Sequence, residues 1–313
     1  MFGRKSTSAS RDNISATQPP ILTPPVLPPV PENYPVNQFT PEQIELFNQV
    51  TEHVRKVFAE GQLTGLPLPG EVEWADAECV VRYLRAAKFD GTKAAEMISK
   101  TLQWRRDYRP TEISFDEVEP EAENGKAYFQ GFDRKGRPVF VLNSGITYSK
   151  EPERYLRFII FNLERGTALC PKGVSQVCAI ANVDGVTMFN QNPTSDTFRV
   201  AEIFQNHYPE RLGWICIMNP QWYIWVLSKV ILPFIDPVTK AKVNFMYAKN
   251  AKKGTSKVDG EAAEGTAGTG GWIDNLEHLM DPAQLPVILT GDYEYTYDHK
   301  MYWPAFRKAV TKQ

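Results

Sequence analysis

Histidine, cysteine and net charge are all scarce in this chain, and each scarcity removes a class of function. Four histidines (His53, His207, His278, His299) are scattered through 313 residues. Each reads as a surface or capping residue, and none stands at a spacing that would hold a metal. Four cysteines (Cys79, Cys170, Cys178, Cys216) lack C-x-x-C pairing and sit in apolar stretches. They read as reduced core thiols of an intracellular protein. A net charge of −2 and a pI near 6.2 give no overall basic field toward nucleic acid, although a local basic patch stays open. The chain also lacks a G-x-x-x-x-G-K-[ST] phosphate loop, a G-x-S-x-G elbow and an H-E-x-x-H pair. The reading therefore assigns no catalytic residue, no metal and no cofactor, and it favours binding over bond-making. Met1–Ser15 is polar with no apolar segment, so no secretory leader is expected. The sequon Asn13-Ile14-Ser15 reads as an idle match.

A long unbroken apolar run is missing too. Trp214 to Ile235 is twenty-two residues with one charge, Lys229, about the length of a membrane span. Asn219-Pro220-Gln221 and Pro233 interrupt it, leaving Trp222–Leu232 too short to cross a bilayer. The better reading is a strand (Trp214–Met218), a turn, and a helix (Gln221–Leu232) that is apolar all round. Such a helix is buried or faces lipid. Its Trp222, Tyr223 and Trp225, with Phe234 beyond, suit a water–lipid interface; plain core aromatics are the alternative. Polar clusters flank the run, Tyr208-Pro209-Glu210-Arg211-Leu212-Gly213 before it and Asp236-Pro237-Val238-Thr239-Lys240-Ala241-Lys242 after it.

Proline is concentrated rather than absent. Eight of 24 fall between Pro19 and Pro35, which forbids helix or central strand. Residues 1–38 read as a disordered tail, either a linker or an adaptor ligand. Thr40 before Pro41, with Gln43 in the capping-box position, starts a helix. Ile44, Phe47, Val50, Val54 and Phe58 continue it at helical spacing. Two more helices, Asp76–Ala87 and Thr92–Tyr108, complete a helical lobe over residues 39–110. From Lys126 the period changes, and residues 120–305 read as an α/β domain. Strands Ala127–Gly131 and Val139–Leu142 form a hairpin. Helix Pro152–Ala168, strand Val177–Val183, helix Asp196–His207, a short helix capped by Asp236 and strand Val243–Tyr247 follow. The alternation predicts a mostly parallel or mixed sheet covered by helices. Residues 249–272 read as a disordered insertion. The amphipathic stretch Asp274–Met280 and a strand Val287–Leu289 precede an aromatic C-terminus.

Five motifs, in order, resemble the CRAL-TRIO lipid-binding family, in its fungal phosphatidylinositol transfer group. They are Leu84-Arg85-Ala86-Ala87-Lys88-Phe89-Asp90, Trp104-Arg105-Arg106-Asp107-Tyr108, Gly136-Arg137-Pro138-Val139, Tyr208–Gly213, and Pro233-Phe234-Ile235-Asp236-Pro237-Val238-Thr239. The stretch Tyr297-Asp298-His299-Lys300-Met301-Tyr302-Trp303-Pro304 further resembles the branch linked to azole and pleiotropic drug resistance. The resemblance implies a helical lobe on an α/β lipid-binding domain whose mixed sheet floors an apolar pocket, with Gln221–Leu232 as a gate. It implies that Lys88, Glu210, Asp236, Thr239 and Lys242 surround the inositol phosphate; a plain surface salt bridge is the alternative for Glu210 and Lys242. Ala87 replaces an arginine common in the pattern. On the pocket wall beyond Thr187, Phe189 stands where a small hydroxyl residue helps hold phosphocholine. These departures disfavour phosphatidylcholine and favour sterol as a second ligand; the alternative is a binder of sterol or another hydrophobic ligand without phosphatidylinositol transfer. The implied protein is a non-enzymatic carrier, cytoplasmic and transiently bound to membrane surfaces such as endoplasmic reticulum, lipid droplet or cell periphery.

Overall fold

The computed structural model describes residues 17–145, 151–186, 194–220, 237–247 and 271–311. The helical lobe opens as its cap signals dictate. In α1 (Pro41–Ala59), the Gln43 amide donates to Thr40 Oγ1 at 3.3 Å and the Thr40 amide donates to Gln43 Oε1 at 3.1 Å. A short α2 (Glu71–Trp74) precedes α3 (Ala77–Ala86), capped by Asp76, and α4 (Gly91–Tyr108), capped by Asp90. Each carboxylate accepts from an amide three residues on, satisfying a donor the first turn leaves open. Val50, Val54, Val80, Leu84, Ile98 and Leu102 bring these helices together in a separate core.

Helix α5 (Phe115–Ala122) leads into the second lobe. Strands β1 (Ala127–Phe132) and β2 (Pro138–Asn143) form an antiparallel hairpin. Its turn is held by Asp133, whose Oδ1 accepts from the Lys135 and Arg137 amides. Then follow α6 (Pro152–Ala168), β3 (Val177–Asn182), α7 (Thr194–His207), β4 (Leu212–Met218), α8 (Pro237–Lys240), β5 (Val243–Met246), β6 (Gly271–Trp272) and α9 (His299–Thr311). The strands lie side by side in chain order, and every pair after β1–β2 is parallel. This is the mixed sheet with helical cover that the alternation predicts. Helix α6 comes so close to β1 that a Cβ on Gly166 would lie 2.2 Å from the Phe129 ring.

Three expectations need correction. The disorder expected through residue 38 does not hold from residue 17, because Ile21, Leu22, Leu27 and Val30 give the proline segment apolar side chains to dock. Leu22 is buried in the main core, the Gly131 amide donates to Ile21 O at 2.9 Å, and Leu27 and Val30 rest on Gly136 and Gly173. An adaptor would meet this segment already engaged. Val287–Leu289 is a 3-10 turn rather than a strand, closed by Thr290 in a left-handed conformation (φ 74°), with Val287 and Ile288 exposed. The amphipathic stretch Asp274–Met280 forms turns, with Leu276 and Met280 buried. The disorder expected over residues 249–272 does not hold at Trp272, which pairs with Phe245 and stacks on Tyr247, and residues 249–270 lie outside the described residues.

Candidate functional site

The two faces of the sheet differ. Strand alternation sends Val139, Val141, Cys178, Ile180, Cys216 and Met218 to one face, where all are buried. The opposite face carries two rows set by register: Phe140, Ala179 and Ile215, then Leu142, Ala181 and Ile217. All six are apolar yet only half-buried. Phe140 meets Phe129 at 4.9 Å between ring centroids, so α6 closes the hairpin end of this face through Gly166. The rows continue onto β5 with Val243 and Phe245, both buried. A continuous apolar floor kept partly open in its middle can accept hydrocarbon.

A charged pair stands at the N-terminal ends of adjacent strands. Glu210 precedes β4 and Lys242 precedes β5, and Lys242 Nζ lies 3.3 Å from Glu210 Oε2. Charge-assisted bonds close to about 2.7–2.9 Å when nothing competes, so this one is loose. Neither side chain has another partner among the described residues, which leaves Glu210 Oε1 and two Lys242 protons available. Glu210 holds a left-handed backbone at φ 57°, a conformation few non-glycine residues adopt. Thr239 lies on α8, and its carbonyl accepts from the Lys242 amide at 3.0 Å. Lys88 is exposed past the end of α3, also left-handed at φ 54°, and its side chain forms no ion pair with Glu210. The structure thus brings Glu210, Thr239 and Lys242 together and leaves Lys88 unconnected to them. Asp236, the wall residues Thr187 and Phe189, and the gate residues Trp222, Tyr223, Trp225 and Phe234 lie outside the described residues.

The junction between the lobes holds charges not singled out from the sequence, of which Arg105 and Arg211 lie within the motifs and Glu164 and Arg82 outside them. Arg105 Nη1 and Nη2 donate to the two Glu164 oxygens at 2.7 and 3.1 Å, and Tyr208 Oη donates to Glu164 Oε1 at 2.7 Å. Burial opposes the Glu164 charge, but Arg105 and these hydrogen bonds prevail and hold its carboxyl below the usual range. His207, read as a surface or capping residue, stacks on Trp104 at 4.2 Å and meets Thr101. Burial, then the Arg105 charge, push its imidazole down to about 4. Burial, then Arg82, hold the Arg211 guanidinium down to about 10. The available signal was a single charge, Arg82, inside the apolar run from Cys79 to Leu84.

Among the described residues no helix is long and apolar enough to cross a membrane, and no group of side chains is arranged to hold a metal ion. Compared with known proteins, residues 122–291 match the model of the CRAL/TRIO domain. The phosphatidylinositol transfer protein PDR17 of Saccharomyces cerevisiae is 28% identical over 249 residues, 76% of this chain and 63% of that protein. A CRAL-TRIO domain-containing protein of Schizosaccharomyces pombe is 29% identical over 231 residues, 74% of this chain and only 20% of the relative. The chain therefore spans less than two thirds of either relative. The crystal structure of Sfh5 superposes with a TM-score of 0.55 at 18% identity, covering 67% of this chain and 81% of that one, a likeness of fold. The expectation carried by the five motifs is met, and the chain belongs to the CRAL/TRIO domain family.

Proposed function

We propose that the chain is a lipid carrier that takes up phosphatidylinositol and exchanges it at a membrane surface without chemical conversion. The half-buried apolar rows on β2, β3 and β4 carry this reading. Each CH₂ laid on such a surface contributes roughly 0.8 kcal/mol against water but nothing against a bilayer, so uptake and release belong at membranes, on their cytoplasmic side. The loose Glu210–Lys242 pair suits an inositol phosphate, with the carboxylate accepting from ring hydroxyls and the ammonium donating to the phosphate. Asp236, Thr239 and Lys88 complete the proposed headgroup site, Thr187 and Phe189 its wall, and Trp222, Tyr223, Trp225 and Phe234 the gate. Sterol is a second reading, favoured by Ala179 and Ala181, whose single methyls leave the middle of the floor flat.

Parallel transfer assays with labelled phosphatidylinositol and labelled sterol test the assignment. Hydrogen bonds to charged groups contribute roughly 1.5–3 kcal/mol, so Lys242→Ala or Glu210→Ala should cut phosphatidylinositol transfer roughly tenfold or more. Sterol transfer should change little. Equal losses on both lipids, or none on either, would sink the headgroup site. Failure of the wild type to move either lipid would sink the carrier reading.

A further inference from the structure

Two arginines at the lobe junction, Arg82 and Arg211, form no ion pair among the described residues, although Arg211 feels the Glu164 charge at longer range. A cavity of about 40 Å³ is lined by Trp74, Arg82, Tyr83, Glu164, His207 and Arg211, among others. Space for one water takes about 10–15 Å³ on the same measure, so it holds a few waters or one tetrahedral oxyanion. Arg82 is 6% exposed, and its guanidinium forms no hydrogen bond or ion pair among the described residues. Among the described residues the Arg211 side chain makes one hydrogen bond, Nη1 donating to Ser175 O at 2.8 Å. The carboxylate on the cavity wall, Glu164, is already taken by both arms of Arg105 and by Tyr208. Glu78, four residues before Arg82 on α3, forms no ion pair with it, although both line a neighbouring cleft with Tyr34 and Arg85. His207 stays neutral near pH 7 and supplies no negative charge.

Buried charges are ordinarily paired, because removing an ion from water costs several kcal/mol that only a partner offsets. Here two guanidinium forks line one small space with no ion pair of their own among the described residues, and guanidinium geometry matches two oxygens of a phosphate. We propose that this cavity is a phosphate site, in which Arg82 and Arg211 donate to one tetrahedral oxyanion. Trp74 and Arg82 belong to the helical lobe, and Glu164 and Arg211 to the α/β lobe, so an occupied site ties the two together. The cavity has no room for a sugar or inositol ring. Inorganic phosphate therefore fits whole, and a phosphomonoester fits only by its phosphate tip. The site does not depend on the lipid reading, since neither Glu210 nor Lys242 lines it.

The test uses the full chain freed of phosphate, titrated with inorganic phosphate at constant ionic strength held with sodium chloride. Calorimetry should show one saturable site, and the thermal midpoint should climb with phosphate as for any ligand of the native state. Arg82→Gln and Arg211→Gln should each weaken phosphate binding roughly tenfold or more. Arg85→Gln, which removes an exposed arginine of the same helix, should leave it unchanged. Without phosphate, Arg82→Gln should melt at or above the wild-type temperature, because it removes an unanswered buried charge. Vesicles carrying a phosphatidylinositol monophosphate, set against vesicles of phosphatidylinositol, separate the sources. Competition with inorganic phosphate by the former alone assigns the site to a lipid phosphomonoester, and no competition by either assigns it to the free ion. The proposal is overturned if chloride alone stabilises as well as phosphate, or if Arg85→Gln loses the response equally. It is also overturned if Arg82→Gln unfolds in phosphate-free buffer, which would mean Arg82 has an internal partner.

Discussion

Arg105 and Lys242 each face a glutamate, and their geometries predict opposite consequences. The Arg105–Glu164 pair is bidentate and buried, with the Trp74 ring 4.5 Å from the guanidinium. Removing one member strands the other charge, at a cost of about 3–5 kcal/mol. Arg105→Met alone should therefore lower the urea unfolding midpoint sharply, while Arg105→Met with Glu164→Leu should recover most of the loss. A single-variant loss below about 1 kcal/mol would mean that water already answers Glu164. The Lys242–Glu210 pair is monodentate, longer and partly exposed, so Lys242→Ala should change stability by no more than about 1 kcal/mol. A group that matters little to folding yet strongly to transfer is what separates a ligand contact from a surface ion pair. Glu210 and Lys242 were legible because they stand in the two polar clusters that flank the apolar run. Arg82 and Arg211 were not, because a lone buried arginine shows its missing partner only once its neighbours are in place.

At the scale of elements, helices with two independent signals were legible and those interrupted by proline were not. Thr40, Asp76 and the Leu156–Ile160 spacing lead directly to α1, α3 and α6. Helix α5 carries a Ser114…Glu117 cap signal, with the Glu117 amide donating to Ser114 Oγ at 3.1 Å, but Pro120 masked it. In α9, Tyr302, Phe306 and Val310 keep helical spacing and are all buried, and Pro304 hid that period. Helix α7 shows a further limit, since its last residue matters through what it docks against. The Tyr83 hydroxyl donates to His207 O at 3.2 Å, and Trp104 stacks on its ring. Unfolded, the imidazole takes its proton near 6.5; folded, only near 4. The unfolded chain binds more protons between those values, so stability falls as pH drops through that window and is unaffected by this group above it. His207→Gln should flatten the stability curve between pH 6.5 and 4 and leave the slope above pH 7 unchanged. An unaltered slope in the variant would show that the imidazole is already solvated in the fold.

The whole molecule is laced by the segment before α1. Its prolines alone suggest a solvated tail, yet apolar residues at 21–22, 27 and 30 alternate with them at intervals that let a rigid extended chain touch the body repeatedly. The Gln18 amide donates to Glu294 O at 2.9 Å, and Tyr293 Oη donates to Pro19 O at 2.7 Å, fixing the segment to the chain before α9. It then crosses β1, where the Ile21 amide meets Gln130 Oε1 at 3.1 Å. It passes the hairpin turn at Gly136 and the loop at Gly173, and ends with Tyr34 and Pro35 in a cleft shared with Glu78 and Arg85 of α3. One strap thus touches both lobes. A chain starting at residue 17 keeps every one of these contacts, whereas a chain starting at residue 38 exposes the surfaces beneath them. Leu22→Ala by itself should cost about 2 kcal/mol or more, as for a buried leucine, and the shorter chain should lose more than that. Urea unfolding of the two truncated chains and of Leu22→Ala decides the matter. If the chain starting at 38 unfolds at the same midpoint as the chain starting at 17, the segment merely rests on the surface; a lower midpoint, restored by adding the 17–38 peptide, makes it part of the fold.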